Sequence, residues 1–442
     1  PHDRQKGASQ LNLWTRIGLS PQAPPLRRWQ GRVALTVFFT YASYYFCRQN
    51  IAAALPAIGE EFRLARGDLG QITMALFIGY GLGQVFFGVL ADRFGARPLL
   101  LVGMISSAAL NVCFALSRPV VPMSVLWGLN GLFQASGMPA CAKTIANWFP
   151  PAQRGRVQAI RGMDYPLGAL LITLLSGWLV QYWGWRWAFY VPAGLLLLSA
   201  AHTFVRLRGA PEEVGLPPVE RHGLCADSAG TPGCDHFVGW RYLLSMVLGN
   251  WRIWALALGF CGVTITRYGF GIWAITYLTE RGSTVLGAAA ISSVMWLGGA
   301  AGILAAGYAG ALWFGRRHAP FVVLQLVALT VLTGLFPLVP TDVPAVLLLY
   351  LMAVGFCTYG PDMMMCQTMA MDIATRKATA TAGGFIDAAG AAGAALTVAL
   401  SGHLVDALGW EHAMHLWAGG AALAALLTAT LWNTRSARGD YL

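Results

Sequence analysis

The stretch RVALTVFFTYASYYFCRQNIAAALPAIGE, Arg32 to Glu60, decides how the rest of the chain is read. Between its ends the only ionised side chain is Arg48, 16 residues past Arg32 and 12 before Glu60. Read as one helix it spans a membrane, with the guanidinium about 24 Å from one end and about 18 Å from the other. An arginine at that depth faces protein or water, because exposing it to lipid costs roughly 3 kcal/mol on insertion scales. The layout recurs from Arg252 to Glu280, where Arg267 stands 15 residues from one end and 13 from the other. Two guanidinium groups in matching places in two halves predict a buried anion site.

Composition agrees with a membrane protein. Of the 442 residues, 56% are hydrophobic and 11% charged, and the mean hydropathy is +0.56. These values exclude an ordinary soluble domain and fit a polytopic chain. Hydropathy divides it into twelve spans, roughly 33–58, 69–90, 98–117, 121–147, 157–182, 186–205, 253–279, 285–312, 319–339, 343–371, 378–405 and 412–433. Of the 30 Lys and Arg, 21 fall in the N-terminal arm, the loops after even-numbered spans and the tail; 5 fall on the other face and 4 inside spans. The positive-inside rule then makes both termini cytoplasmic. It also accounts for the net charge of +11 without a nucleic-acid partner.

The halves repeat. Gly184-Trp185-Arg186-Trp187-Ala188-Phe189 matches Gly409-Trp410-Glu411-His412-Ala413-Met414 at an offset of 225 residues, and Arg48 and Arg267 differ by 219. An even number of spans per half implies parallel repeats related by an axis along the membrane normal. The expected fold is an all-α membrane protein of twelve transmembrane helices in two pseudo-symmetric six-helix bundles. Its parts are a cytoplasmic arm 1–32, bundles 33–206 and 251–434, a Pro- and Gly-rich cytoplasmic linker 207–250, and a tail 435–442. Leu11, Leu13, Trp14 and Ile17 in the arm have the spacing of a short surface helix. Cys225 and Cys234, with His222 and His236, lack a standard zinc spacing, so no metal or other cofactor is expected.

Further ionisable groups fall within spans. Arg161 and Asp164 are three apart and able to pair. Asp387 is the near-equivalent of Asp164 in the second half, and Asp362 follows Tyr359-Gly360-Pro361. Asp164, Asp362 and Asp387 are the candidates for coupling. Two arginine forks suit a phosphate, since each can donate two parallel hydrogen bonds. Tyr41 and Tyr45 precede Arg48 on nearby faces, and Tyr268 follows Arg267. No nucleophile and base stand in a recognisable arrangement, so an enzyme is not expected.

Several segments carry a resemblance: Tyr41-Ala-Ser-Tyr-Tyr-Phe-Cys-Arg48-Gln-Asn50, Arg66-Gly-Asp-Leu-Gly70, Gly88-Val-Leu-Ala-Asp-Arg-Phe-Gly-Ala-Arg97, Gly131-Leu-Phe-Gln-Ala-Ser-Gly137, Arg267-Tyr-Gly269 and Tyr359-Gly-Pro361. Together they resemble the organophosphate:phosphate antiporters of the major facilitator superfamily, which include glycerol-3-phosphate and hexose-phosphate transporters. The resemblance implies that Arg48 and Arg267 bind phosphate while Tyr41, Tyr45 and Gln134 line the pocket. This chain departs from the family at Gln84, where bacterial members carry a lysine, at Asp164 in place of a histidine, at Arg161 in place of an asparagine and at Met138 in place of a tryptophan. Asp387 is similar to the acid of the hexose-phosphate type, and Gln84, Met138, Arg161, Asp164, Tyr268, Tyr359 and Asp387 join the expected substrate-binding residues. A monomeric, lipid-embedded carrier is expected, and the short loops place it in a bacterial inner membrane. It would exchange a small phosphorylated or phosphonate anion for inorganic phosphate by alternating access. Proton-coupled transport of an anion or zwitterion, with Asp164 binding the proton or a substrate cation, stays open, as does a transporter-like sensor of sugar phosphate.

Overall fold

The computed structural model describes residues 24–118, 120–150, 157, 160–217, 219, 248–312, 318–340, 343–373 and 379–433. The surface helix expected near Trp14, the Cys225 to Cys234 loop and the tail lie outside these residues, as do the side chains of Asp92 and Arg93. Every regular element among the described residues is helical. The first half contains α1 (Pro24–Tyr44), α2 (Ile51–Phe62), α3 (Arg66–Phe94), α4 (Ala96–Leu116), α5 (Val121–Gln134), α6 (Gly137–Trp148), α7 (Asp164–Trp183) and α8 (Trp187–Arg206). The second contains α9 (Trp251–Glu280), α10 (Val285–Leu312), α11 (Ala319–Leu335), α12 (Pro344–Met363), α13 (Thr379–Leu408) and α14 (Trp410–Ala429).

Among the described residues, eight helices are long and apolar enough to cross a membrane. The other four expected spans are not among them. The first and fourth are divided into α1 with α2 and α5 with α6. The last opens with Glu411, His412 and His415, and α3, the second, includes positions that lie outside the described side chains. The periodicity of α1 shows which face is which: Val33, Val37, Tyr41 and Tyr44 are buried, whereas Leu35 and Phe39 are 61% and 58% exposed on the side that meets lipid.

Within each bundle, glycine brings helices together. A Cβ on Gly131 of α5 would collide with the Leu76 carbonyl of α3, and one on Gly355 of α12 with the Met295 carbonyl of α10. These contacts are repeat equivalents, and each gains the close backbone packing that drives helix association in lipid. The bundles meet chiefly along α3 with α13 and α7 with α10, and α2 touches α9. The cavity described next lies between these seams.

Candidate functional site

The uninterrupted helix expected over Arg32 to Glu60 is corrected by the structure. After Tyr44 the backbone tightens into a 3₁₀ turn, Tyr45–Cys47, and Arg48 sits at φ −124°, ψ −49° before α2 begins. Such a break frees carbonyls that the membrane interior cannot solvate, so the protein has to satisfy them. Gln134 Nε2 donates to the Tyr44 carbonyl at 3.0 Å, and Asn130 Nδ2 donates to that of Cys47 at 2.8 Å. Gln134, expected to line the pocket, is instead fully buried behind the turn, where it also donates to Ser107 Oγ at 2.8 Å. Gln134→Ala is therefore expected to cost about 1–3 kcal/mol of stability, the range for a buried polar group left without its partner. Thermal unfolding in detergent tests this; unchanged stability with lost anion binding would return Gln134 to the pocket.

The break turns Arg48 into a cavity between the bundles. Its guanidinium carbon lies 4.4 Å from the Tyr80 ring centroid and 5.1 Å from that of Tyr45. Arg48 is 6% exposed, its Nε has no hydrogen-bond partner, and among the described residues no acid pairs with it. Arg267 faces the same space under different constraint. It forms an ion pair with Asp362 at 2.8 Å and donates to the Tyr45 hydroxyl at 3.3 Å. Tyr165 donates to the other Asp362 oxygen at 3.1 Å, so that carboxylate is held on both sides. Tyr45 touches both arginines and is the bridge between the halves of the site.

Tyr41, Tyr45, Met138 and Arg161 line the cavity from the first bundle, and Tyr268, Asp362 and Asp387 from the second. Four expected residues are displaced from the lining. Asp164 stands behind Arg161, 3.4 Å from its guanidinium, because the two are one turn apart at the start of α7 and face each other. It is not placed to meet a substrate cation. Tyr359 is fully buried behind Arg267, its ring 5.1 Å from the guanidinium carbon. Gln84 contributes by donating to Asp387 at 3.1 Å, and Gln134 holds the turn as described. Sequence reasoning missed Tyr80 and Tyr165. Tyr80 lies one turn before Gln84, a spacing that could have flagged it; Tyr165 was overshadowed by its neighbour Asp164.

Beyond Arg48 and Arg267, away from the chain ends, the halves are closed on each other. Gln49 Nε2 donates to the Gly271 carbonyl at 2.5 Å, and the Phe77 and Tyr268 rings meet edge-on at 4.4 Å. At the surface of that face Arg66 pairs with Glu280 at 2.8 Å and Asp406 at 3.1 Å. Glu280 also accepts from Trp410 Nε1, as its repeat equivalent Glu61 accepts from Trp185 Nε1. Glu61 is clamped within its own bundle by Arg186, at 2.7 Å and 2.9 Å. Where Arg186 stands, the second half has Glu411, which leaves Glu280 open to Arg66 across the interface.

Hydrogen bonds from Arg186 and then Trp185 hold the Glu61 carboxyl below its ordinary range. A depressed folded value means stabilisation that is present above the unfolded value, near 4.3, and is lost as pH falls through the folded one. The pair is about 40% exposed, so its worth is in the roughly 0.2–1 kcal/mol range of surface pairs. The melting temperatures of the native chain and Glu61→Gln are expected to differ slightly at pH 6 and to converge toward pH 3. A constant gap across that range would remove the carboxylate from the account.

The fold and the pocket define a class, the carriers built from two six-helix repeats around a midplane site. The family description Major Facilitator Superfamily matches residues 37–361 and 280–440, and the chain belongs to that superfamily. Its similarity to a probable hexose phosphate transport protein of Chlamydia pneumoniae is 28% identity over 96% of this chain and 98% of that one. The glycerol-3-phosphate transporter of Bacillus subtilis (strain 168) is 29% identical over 92% of this chain and 93% of its own length. A membrane sensor protein, UhpC of Salmonella typhimurium, is 28% identical over 93% of each. The resemblance to the organophosphate:phosphate antiporters thus extends over the chain. Among solved structures, a bacterial homologue of the human lysosomal transporter Spinster, inward-facing and occupied, matches with a TM-score of 0.69 at 17% identity, covering 93% of this chain and 98% of that one.

Proposed function

We propose that this protein is a secondary carrier that moves a small phosphorylated or phosphonate organic anion across the bacterial inner membrane in exchange for inorganic phosphate. The observation that carries the reading is Arg48: a guanidinium 6% exposed, without an ion-paired acid among the described residues, lining a cavity opposite Arg267. Keeping a lone cation at that depth is costly, and a structural role would have supplied it with a carboxylate. The phosphorylated cargo named for the hexose phosphate and glycerol-3-phosphate relatives fits the same group.

The lining residues support an inward-facing reading. Tyr41 precedes Arg48 and Phe260 precedes Arg267 along their helices, so the cavity extends from the arginines toward the face of the chain ends. With both termini cytoplasmic this is an inward-facing arrangement. An anion bridging Arg48 and Arg267 joins the two bundles through one ligand and lowers the barrier to rocking them; an empty site lacks that bridge, so return requires a second anion. The site is complete within one chain, which suits a monomer.

The test is uptake of labelled phosphate by proteoliposomes with and without internal phosphate. Uptake that requires internal phosphate and ignores an imposed proton gradient is expected; uptake driven by the gradient alone would favour proton coupling. The UhpC relative makes ligand binding without transport the second reading, and absent exchange with retained phosphate binding would select it.

A further inference from the structure

Pairing off the charges around the cavity leaves one of each sign. Arg267 is matched by Asp362 and Arg161 by Asp164. What remains are Arg48, buried with its Nε unpartnered, and Asp387, whose hydrogen-bond partners among the described residues are the neutral Gln84 amide at 3.1 Å and the Cys366 thiol at 3.9 Å. Both groups line the same space, yet they do not pair with each other. One turn beyond Asp387, Gly390 lets the Phe260 ring lie flush against α13, so the cavity reaches the carboxylate beside an aromatic edge. Three arginines (Arg48, Arg161, Arg267) stand against three aspartates (Asp164, Asp362, Asp387), so the site can answer both signs of charge on a ligand.

We propose that Asp387 is an ammonium subsite and that the cargo is a zwitterion, a small molecule with a phosphate or phosphonate at one end, held by Arg48, and a primary amine at the other. Gln84 orients the carboxylate by donating to one oxygen and leaves the remaining lone pairs for the three N–H donors of the ammonium. Each charge left over by the protein's own pairing is then met by the ligand. This rests on the phosphate reading of Arg48 and narrows it to a substrate class.

The experiment uses the full chain in proteoliposomes loaded with phosphate. Ethanolamine phosphate is compared with ethyl phosphate, and 2-aminoethylphosphonate with ethylphosphonate, as competitors of labelled phosphate exchange. The amine-bearing member of each pair is expected to compete about tenfold better, the discrimination a charge-assisted hydrogen bond supplies. In Asp387→Asn that ratio is expected to fall to near one, and in Asp387→Glu to be largely kept. Should Asp387→Asn fail to insert, Gln84→Lys places a tethered ammonium beside the carboxylate and is expected to abolish the preference equally. Equal competition within each pair in the native chain, with exchange intact, overturns the zwitterion and leaves the phosphate carrier standing. Exchange that no phosphorylated compound inhibits, or no phosphate binding at all, overturns both.

Discussion

Arg48→Lys is expected to lower phosphate exchange by at least about 100-fold while leaving the protein folded. Lysine preserves the charge but replaces a planar fork, able to make two parallel bonds to phosphate oxygens, with a point charge on a flexible stem. Losing one such bond, at roughly 1.5–3 kcal/mol, already accounts for a factor on the order of 10–100, and the stacking on Tyr80 and Tyr45 is weakened as well. Stability is expected to change little, because among the described residues no acid forms an ion pair with Arg48 and its Nε has no hydrogen-bond partner. Exchange rates in proteoliposomes and melting temperatures in detergent read the two halves of the prediction. Near-normal exchange would remove Arg48 from the site.

Asp362→Asn is expected to act in the opposite sense, on stability first. Its partner Arg267 is 8% exposed at the side chain, so the substitution leaves a buried cation without its counter-charge, a change that costs about 3–5 kcal/mol where one member of a buried pair is removed. Phosphate added to this variant supplies the missing negative charge. The ligand-induced rise in melting temperature is therefore expected to exceed that of the native chain, even as exchange slows because the anion is released less readily. Two variants thus separate the arginines: one is held for the ligand, the other shared between the ligand and Asp362. An unchanged melting temperature for Asp362→Asn, or no extra rescue by phosphate, would show that Arg267 does not depend on that carboxylate.

The helical membrane architecture was legible because lipid imposes a coarse rule. Spans of about 20 apolar residues can be counted along the chain, and an arginine in the middle of one is visible without coordinates. The resemblance carried by segments such as Tyr41 to Asn50 and Gly131 to Gly137 added the family and the two arginines. The break after Tyr44 was not legible. No Gly or Pro marks the residues across it, and what permits the turn is a pair of amides, Asn130 and Gln134, from a helix far along the sequence.

Sequence alone determined the fold class, the two-fold repeat, and the presence of Arg48, Arg267, Asp362 and Asp387 at membrane depth, because burying a charge in lipid is expensive enough to mark its position in the composition itself. Which charge answers which was decided only by tertiary structure. Arg161 keeps Asp164 for itself, Arg267 takes Asp362 from another helix, and Arg48 and Asp387 are left facing the cavity. Ion pairing depends on ångström-scale distances between helices distant in sequence, and neither spacing nor hydropathy records those distances.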